Sequence, residues 1–331
     1  MRITGRIDLR VRTIDTLIHG AGTRGNSTLL RMQDIILDDG TPARVPFISG
    51  NSIKHKLREC AVKYALDAMN IEDGSLSKAE TDLLFSGGHL NKSGAAVDLT
   101  TARKLEELFP PLSLCGYSAG NTMTESKIRV SHLHLVCMEN AWRLPDDMRE
   151  HVSIGTRAGQ LYITGGTGDG FGTRHEQSNR PHVRKLLTEE AGKAFAAKKS
   201  KKLKGEDDGK KDDETAQMIY EHGGIKPGAT LWGTIQVADL TELEQAALAS
   251  AFHYASTERR GESLVMTFGA KSNSGMGGAM VDLRGQIRVA PPQYVESTEL
   301  VAAGDNLTTR YLGHLRDRKD EILDTIKRAV S

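Results

Sequence analysis

Hydrophobic and polar residues alternate along several stretches of the chain, and this alternation predicts β-strands. In the first stretch, residues 3–18, Ile7, Leu9 and Val11 share one face, while arginine and aspartate side chains occupy the other. A short apolar strand is expected at Val45-Pro-Phe-Ile48. Further strands are expected at residues 126–136, 160–164, 229–238, 265–268 and 280–289. The pattern therefore predicts a protein built on a sheet.

A helix is expected over residues 51–69, because apolar residues recur there at helical spacing. We expect Asn51 or Ser52 to cap this helix, and Gly50 to let the backbone turn and approach a ligand closely. Its first two turns are crowded with basic residues, namely Lys54, His55, Lys56 and Arg58. Because these cations oppose the helix dipole, one interpretation is an anionic partner, phosphate above all. The other interpretation is an ordinary solvated surface helix.

Other segments complete a mixed pattern of helices and strands. Thr241 and Glu244 form a capping box that begins a helix ending at Ala255. Residues 78–85 and 100–108 are expected to form short helices, and residues 308–330 an exposed charged helix. The order strand, helix, strands, then strand, helix, strand suggests two βαβ-like halves of one antiparallel sheet. We therefore predict an α+β protein of the ferredoxin-like class.

Composition narrows the possible functions. The net charge of +1 over 331 residues excludes a bulk polycation, so any contact with nucleic acid requires a local basic patch. The three cysteines lack CxxC spacing, which is typical of a reduced, cytoplasmic protein. The first residues do not resemble a signal peptide, and no apolar run reaches membrane-spanning length. A cytoplasmic protein without membrane contact is expected.

Four motifs in chain order carry a resemblance to a known family. They are Ser49-Gly-Asn-Ser-Ile-Lys-His-Lys-Leu-Arg58, Leu114-Cys-Gly116 with Ser126-Lys-Ile-Arg-Val-Ser131, Ile225-Lys-Pro-Gly-Ala-Thr-Leu231 and Phe268-Gly-Ala-Lys-Ser-Asn-Ser-Gly-Met-Gly277. Together they resemble the motifs of the RAMP superfamily of CRISPR systems, with Ser49 where proline is usual and His55 where glycine is usual. Within it, the likeness is closest to the backbone subunits of type IV effector complexes, and then of type III.

The resemblance implies a modified RNA-recognition-motif fold with a helical insertion and a protruding thumb. The implied palm comprises residues 1–50, 112–158 and 221–290, and the core helix with the helical insertion comprises residues 51–111. The implied thumb comprises residues 159–220, with a disordered tip near 193–214. Residues 291–331 form a C-terminal helical tail. Such a protein binds CRISPR guide RNA, forms a homo-oligomer along it, and joins other effector-complex subunits. The guide then pairs with target DNA or RNA. The resemblance implies prokaryotic cytoplasm, no cofactor, no metal and no enzymatic activity.

The RNA contacts expected from these motifs lie in several segments. The helix motif and the glycine-rich loop are expected to meet phosphates, whereas aromatic and basic side chains of the thumb are expected to stack on or clamp bases. Those thumb residues have packing as their alternative role. The candidate RNA-binding residues are Arg24, Asn26, Gly50, Asn51, Ser52, Lys54, His55, Arg58, Tyr162, Phe171, Arg174, His175, Lys271, Ser272 and Asn273.

Several alternatives remain open at this stage. Residues 166–172 have GxGxxG-like spacing, but no helix with a Lys-Ser/Thr pair follows, so a glycine-rich thumb tip is favoured over a nucleotide site. His132 and His134 share a strand face, as zinc ligands do, although Cys137 faces the other side and buried histidines are favoured. Asp34 is the weak candidate for target-RNA cleavage, as in type III relatives.

Two other function classes also stay open. One is an endoribonuclease that trims CRISPR RNA precursor, with His19 or His55 as general acid or base. The other is a free-standing binder of single-stranded RNA. A backbone subunit is distinguished from both by RNA of uniform length that purifies with it.

Overall fold

The computed structural model describes residues 2–89, 98–119, 121–150, 152, 155–164, 171–174, 188–190, 218–284, 286–290, 293–296 and 304–331. The chain forms two compact units. The first unit comprises Met1–His19, Arg31–Tyr162 and Ile225–Ser331, and the second comprises Gly20–Leu30 and Ile163–Gly224. No helix among the described residues combines the length and apolar character needed to cross a membrane.

The strands are short apart from β1 and β14. They are β1 Ile3–Thr13, β2 Gly20–Arg24, β3 Ser27–Leu30, β4 Met32–Ile36, β5 Pro42–Ile48, β6 Ser118–Ala119, β7 Thr122–Met123, β8 Ile128–Val130, β9 Leu133–Leu135, β10 Tyr162–Ile163, β11 Phe171–Arg174, β12 Met218–His222, β13 Gly224–Ile225, β14 Thr230–Leu240, β15 Ser256–Arg260, β16 Ser263–Thr267, β17 Gly278–Arg284, β18 Gln286–Ala290 and β19 Gln293–Glu296.

The helices are α1 Gly50–Ala68, α2 Lys78–Thr81, α3 Leu99–Leu108, α4 Pro110–Cys115, α5 Asp146–Arg149, α6 Glu242–Ala255, α7 Gly304–Asp317 and α8 Lys319–Val330. A π-helical turn at Asp82–Ser86 continues α2, and 3₁₀ helices cover Met138–Arg143, Ala158–Gln160 and Ser272–Ser274.

The main sheet of the first unit is antiparallel, with the strand order β15-β16-β17-β1-β14-β9-β5-β4. Its centre, β17-β1-β14-β9, has the order of a ferredoxin-like fold when α1 and α6 are read as the two crossover helices. The α+β prediction is therefore confirmed. Ile7, Leu9 and Val11 of β1 are buried, as their alternation with charged residues predicts.

The core lies between the sheet and a layer of helices in which α1 contacts α6. Alanines make up much of the buried surface of α6, and such small side chains let helix and sheet approach closely. The capping box predicted at Thr241 and Glu244 is present, with each side chain bonded to the other residue's backbone N–H. Local sequence and tertiary packing thus agree at this helix.

Two expectations about helices need correction. The N-cap of α1 is Ser49, whose hydroxyl accepts the N–H of Ser52, so neither Asn51 nor Ser52 caps it. The C-terminal segment is not an exposed charged helix but two helices, α7 and α8, that contact α6 and α3. Their fully buried residues are Tyr311, Leu315, Ile322 and Ile326. The charged residues of this segment cover only its outer side, because the apolar ones line up against the core.

The sheet face opposite the helices is partly covered by the segment from Met138 to Arg149. Leu144 and Met148 of this segment form a small apolar cluster with Val136, against which Trp232 of β14 packs. Asp147 of the same segment pairs with Arg10 of β1. The expected strand 126–136 is divided into β8 and β9, and Ser131 and His132 stand at the break. This break brings His132 beside the start of α1.

The second unit contains a sheet of its own, in the order β11-β12-β3-β2. Strands β12 and β3 are parallel, and the other neighbours are antiparallel. The low-complexity tract 193–214 and most of the glycine-rich segment 166–172 lie outside the described residues. The domain boundaries expected from the family resemblance, including a thumb at 159–220, remain predictions.

Candidate nucleic-acid interface

The first turn of α1 begins against the break between β8 and β9. A Cβ atom on Gly50 would stand 2.8 Å from the carbonyl oxygen of Ser131 and would also collide with that of Val130. Glycine is therefore required at position 50 because the helix start packs on strand backbone. Packing thus explains this glycine, and the expected close approach of its backbone to a ligand stays a prediction.

Two histidines occupy the first backbone donors at this helix end. The N–H of Ser49 donates to Nε2 of His19 over 3.1 Å, and the N–H of Gly50 donates to Nδ1 of His132 over 3.0 Å. Among the residues that the structure describes, the N–H of Asn51 has no hydrogen-bond acceptor. Asn51 is also exposed, so its N–H and side chain are the parts of this turn that remain available to an anion.

Both histidines must be neutral to accept these bonds, and their surroundings favour that state. Burial lowers the pKa of His19 from 6.5 to about 4, and the charges of Arg31 and His132 add to the effect. Burial likewise lowers the pKa of His132, helped by Arg143 and Arg31. A neutral imidazole in each position thus caps the helix at neutral pH.

The glycine-rich loop from Gly269 to Gly277 is held by the segment that precedes His19. The N–H of Ala270 donates to the carbonyl of Ile18 over 2.8 Å, and the N–H of Gly277 donates to that of Thr16 over 3.0 Å. Gly269 has a φ of 78°, and a Cβ there would collide with the carbonyl of Ile18. The close backbone approach and the left-handed φ both require glycine.

The tip of this loop presents the expected polar residues. Lys271 adopts a left-handed conformation with a φ of 61°, and a 3₁₀ turn over Ser272–Ser274 follows it. Ser272 and Asn273 are exposed, and Lys271 is half-buried, which lowers its pKa. The short segment Thr16–His19 therefore connects this loop to the start of α1. Its backbone carbonyls bind the loop, and the side chain of His19 binds the N–H of Ser49.

The polar and basic residues near the start of α1 differ in how far they are buried. Lys54 is half-buried, and burial followed by the charge of Arg58 lowers its pKa. His55 is exposed, and Ser52 is partly exposed. Because burial takes the ammonium group of Lys54 partly out of water, its attraction for an anion placed beside it is less screened than that of a fully exposed lysine.

Arg58 has a structural role that the sequence reasoning missed. Its guanidinium is buried and donates to the carbonyls of Cys115 over 2.9 Å and Gly116 over 2.6 Å. Cys115 ends α4, so Arg58 caps the carbonyls at the negative end of that helix. Because its Nη2 group is directed into the protein, we interpret Arg58 as structural, and the expected contact between Arg58 and phosphate stays a prediction. These hydrogen bonds join the first motif, which ends at Arg58, to the second, which contains Cys115 and Gly116.

The remaining candidates lie elsewhere. Tyr162 is partly buried in the first unit, whereas exposed Arg24 and Asn26 belong to the β2–β3 hairpin of the second unit. Phe171 and Arg174 lie in β11, and His175 is outside the described residues. The structure thus links the start of α1 to the glycine-rich loop, and it places Arg24, Asn26, Phe171 and Arg174 in the second unit.

The residues considered for RNA cleavage and for zinc binding lie in the first unit. Asp34 lies in β4, exposed, and its carboxylate pairs with Arg44 over 2.8 Å. The rings of His132 and His134 are 6.1 Å apart, but no group of metal-binding side chains is found within the described residues. Their neighbour Cys137 is buried, and burial raises the pKa of its thiol to about 12.

Sequence reasoning missed the residues that surround the histidines. The ring of Phe47 packs at a tilt of 40° against that of His132, with ring centroids 4.7 Å apart, and Arg143 donates to Nδ1 of His134 over 3.0 Å. Arg31 lowers the pKa of two of the histidines through its charge. None of these residues belongs to a motif. The only sequence signals that placed Phe47 and His134 in strands were the short apolar run at Val45–Ile48 and the strand pattern of residues 126–136.

Known proteins resemble this chain in structure but not in sequence. No protein-family model matches the sequence, and no similar sequence is found among curated proteins. Among solved structures, a chain of a "Type IV-B CRISPR Complex" aligns with 84% of this chain and 90% of its own length, at 14% identity and a TM-score of 0.51. A "Crystal structure of Thermofilum pendens Csc2" aligns with 99% of this chain and 81% of that one, at 12% identity and a TM-score of 0.37. The first of these two similarities confirms the resemblance at the level of the fold.

Proposed function

We propose that this protein binds CRISPR guide RNA and oligomerises along it as the backbone subunit of an effector complex. One observation carries the proposal: the turn at Asn51 and the glycine-rich loop are linked through the segment Thr16–His19. The link occurs in a fold similar to a chain of a type IV-B CRISPR complex. Arg58 is excluded from the proposed contact surface because it is buried.

The chemistry of this surface suits a phosphate backbone. It offers the backbone N–H of Asn51, the hydroxyl of Ser52 and the loop polar groups of Ser272 and Asn273, all on parts of the chain with at least partial exposure. Lys54 and Lys271 supply positive charge that burial has partly removed from water. Contacts of this kind recognise phosphate without reading base sequence, as a protein that covers a variable guide requires.

The other parts of the chain receive roles from the same proposal. The second unit, with Arg24, Asn26, Phe171 and Arg174, forms the thumb and contacts RNA or a neighbouring copy. The proposed partners are guide RNA, further copies of this chain and other effector subunits, with target nucleic acid recognised by guide pairing. We assign no enzymatic role to the protein. The exposed carboxylate of Asp34 pairs with Arg44. One ring nitrogen of His19 and one of His132 accept backbone N–H groups at the start of α1.

Purification of the full chain together with a CRISPR array tests this proposal. A backbone subunit should carry RNA of uniform length, and electron microscopy should show a repeating assembly along it. Because counterions are released on binding, RNA affinity should fall steeply with salt concentration. Protein without RNA and without affinity for single-stranded RNA would overturn the proposal. Release of shortened RNA would indicate the endoribonuclease instead.

A further inference from the structure

An exposed tryptophan next to an immobilised arginine lies outside the proposed phosphate-binding surface. Trp142 is 49% exposed at the end of the 3₁₀ helix Met138–Arg143. The guanidinium carbon of Arg143 lies 4.5 Å from the centroid of the Trp142 ring, which is a cation–π distance. One face of the indole is therefore covered by Arg143, while much of the ring remains open to solvent.

Arg143 is fixed by neutral partners. Its Nη1 donates to Oε1 of Gln33 over 3.1 Å and to Nδ1 of His134 over 3.0 Å, while its Nε is buried without an acceptor. Among the described residues, no carboxylate pairs with Arg143. The positive charge of Arg143 is therefore not neutralised by a carboxylate among these residues, and its two hydrogen bonds hold the guanidinium in place beside the indole ring.

The surroundings extend the same pattern of aromatic rings and unpaired positive charge. Across the sheet, His134 lies opposite Phe47, and the ring of Phe47 packs at a tilt against that of His132. Arg31 is exposed and has no ion-pair partner among the described residues, yet its charge acts on His132. Aromatic faces interleaved with cations are the surface that single-stranded nucleic acid recognises, through base stacking and phosphate neutralisation.

We propose that Trp142, held in place by Arg143, stacks on an unpaired base of single-stranded RNA, and that Arg31 neutralises a phosphate of the same strand. This inference rests on the proposed RNA-binding function and adds a base-stacking contact to it. A contact between protein copies is the competing role for an exposed tryptophan. The unpaired cations favour RNA, because they complement a polyanion and gain nothing from an apolar partner surface.

The test uses the full chain and intrinsic fluorescence. The sequence contains two tryptophans, Trp142 and Trp232, and the second has its indole nitrogen buried. Titration with single-stranded oligouridine should quench the fluorescence of the wild-type protein but not of Trp142→Phe, which keeps a stacking ring and nearly all the affinity. Trp142→Ala should lose about fivefold to a hundredfold in affinity. Tyr254→Ala, which removes another exposed aromatic ring, should retain wild-type affinity.

A base-free ribose phosphate oligomer separates stacking from charge. It should bind the wild-type protein and Trp142→Ala equally and cause no quenching, whereas Arg31→Ala should weaken its binding. Wild-type protein that binds oligouridine with no Trp142-dependent quenching and no loss in Trp142→Ala would overturn this inference alone. Loss of self-association in Trp142→Ala at unchanged RNA affinity would also overturn it. Wild-type protein that binds no RNA would overturn the proposed function as well.

Discussion

Nε2 of His19 accepts a hydrogen bond from the backbone N–H of Ser49 over 3.1 Å. Ser49 is the N-cap of α1, so this bond connects the end of the first segment of the first unit to the start of its central helix. The bond exists only while Nε2 carries no proton. The arrangement of the proposed RNA-binding turn therefore depends on a neutral histidine.

This dependence predicts loss of stability in mild acid. The pKa of His19 is lowered from 6.5 to about 4 in the folded protein, chiefly by burial and then by the charges of Arg31 and His132. As pH falls below 6.5, the unfolded chain takes up the proton first, so the free energy of unfolding decreases until about pH 4. His19 should account for a loss of about 2 kcal/mol between pH 7 and pH 5, measured by urea denaturation.

The variant His19→Gln is the matched control, because its amide oxygen can accept the Ser49 N–H but does not titrate in this range. It should fold at pH 7 and lose less stability than the wild-type protein when the pH is lowered to 5. An equal decrease in both proteins would assign the acid sensitivity to other groups and contradict the role given to His19.

Removal of the Arg58 side chain should destabilise the fold. Arg58→Ala leaves the carbonyls of Cys115 and Gly116 without their donor, so we expect a loss of about 2–4 kcal/mol in the free energy of unfolding. Lys54→Ala on the same helix should leave stability within about 0.5 kcal/mol of wild type. Chemical denaturation of both variants measures the difference. Equal stability would mean that Arg58 is not structural.

Gly50 and Gly313 should respond in opposite ways to alanine. Gly313 lies within α7, where an added methyl group would meet open space, so Gly313→Ala should stabilise by about 0.5–1 kcal/mol. Gly50→Ala should destabilise by about 3 kcal/mol, because its methyl group meets the carbonyls of Val130 and Ser131. Thermal denaturation compares them. Stabilisation by both would show that the helix start is not tightly packed.

The C-terminal helices should be essential to the first unit. Ile322 is fully buried, and Ile322→Ala should cost about 2–4 kcal/mol of stability. The exposed Lys327 on the same helix provides the control, since Lys327→Ala should have little effect. A solvated tail would predict equal, negligible effects for both substitutions in denaturant titrations.

Sequence reasoning succeeded for the long regular elements and failed for these two C-terminal helices. Long regular patterns, such as β1, α1 and α6, and the capping box at Thr241 were predictable because each depends on neighbouring residues. The apolar spacing of Tyr311, Leu315, Ile322 and Ile326 was present in the sequence, but charged residues between them favoured an exposed helix. The break in the helix at Arg318 further interrupts the apolar periodicity.

The candidate site was predictable only in part. The motifs of α1 and the glycine-rich loop were recognised, but residues distant in sequence decide which backbone donors are available. His132 is 82 residues from Gly50, and Cys115 is 57 residues from Arg58. No local pattern records such pairs, so the cap and the buried arginine required the structure. Side-chain polarity alone could not distinguish a phosphate ligand from a helix cap.

The salt dependence of RNA affinity tests the central claim most directly. The double variant Lys54→Ala/Lys271→Ala removes two charges from the proposed surface, and Lys63→Ala/Lys78→Ala removes two charges that pair with Glu59 and Asp82. Binding of single-stranded RNA should weaken in the first variant for all sequences alike, and the slope of log affinity against log salt should become shallower by about one to two. The second variant should keep the wild-type slope. A folded Lys54→Ala/Lys271→Ala protein with wild-type affinity and slope would contradict guide-RNA binding at this surface.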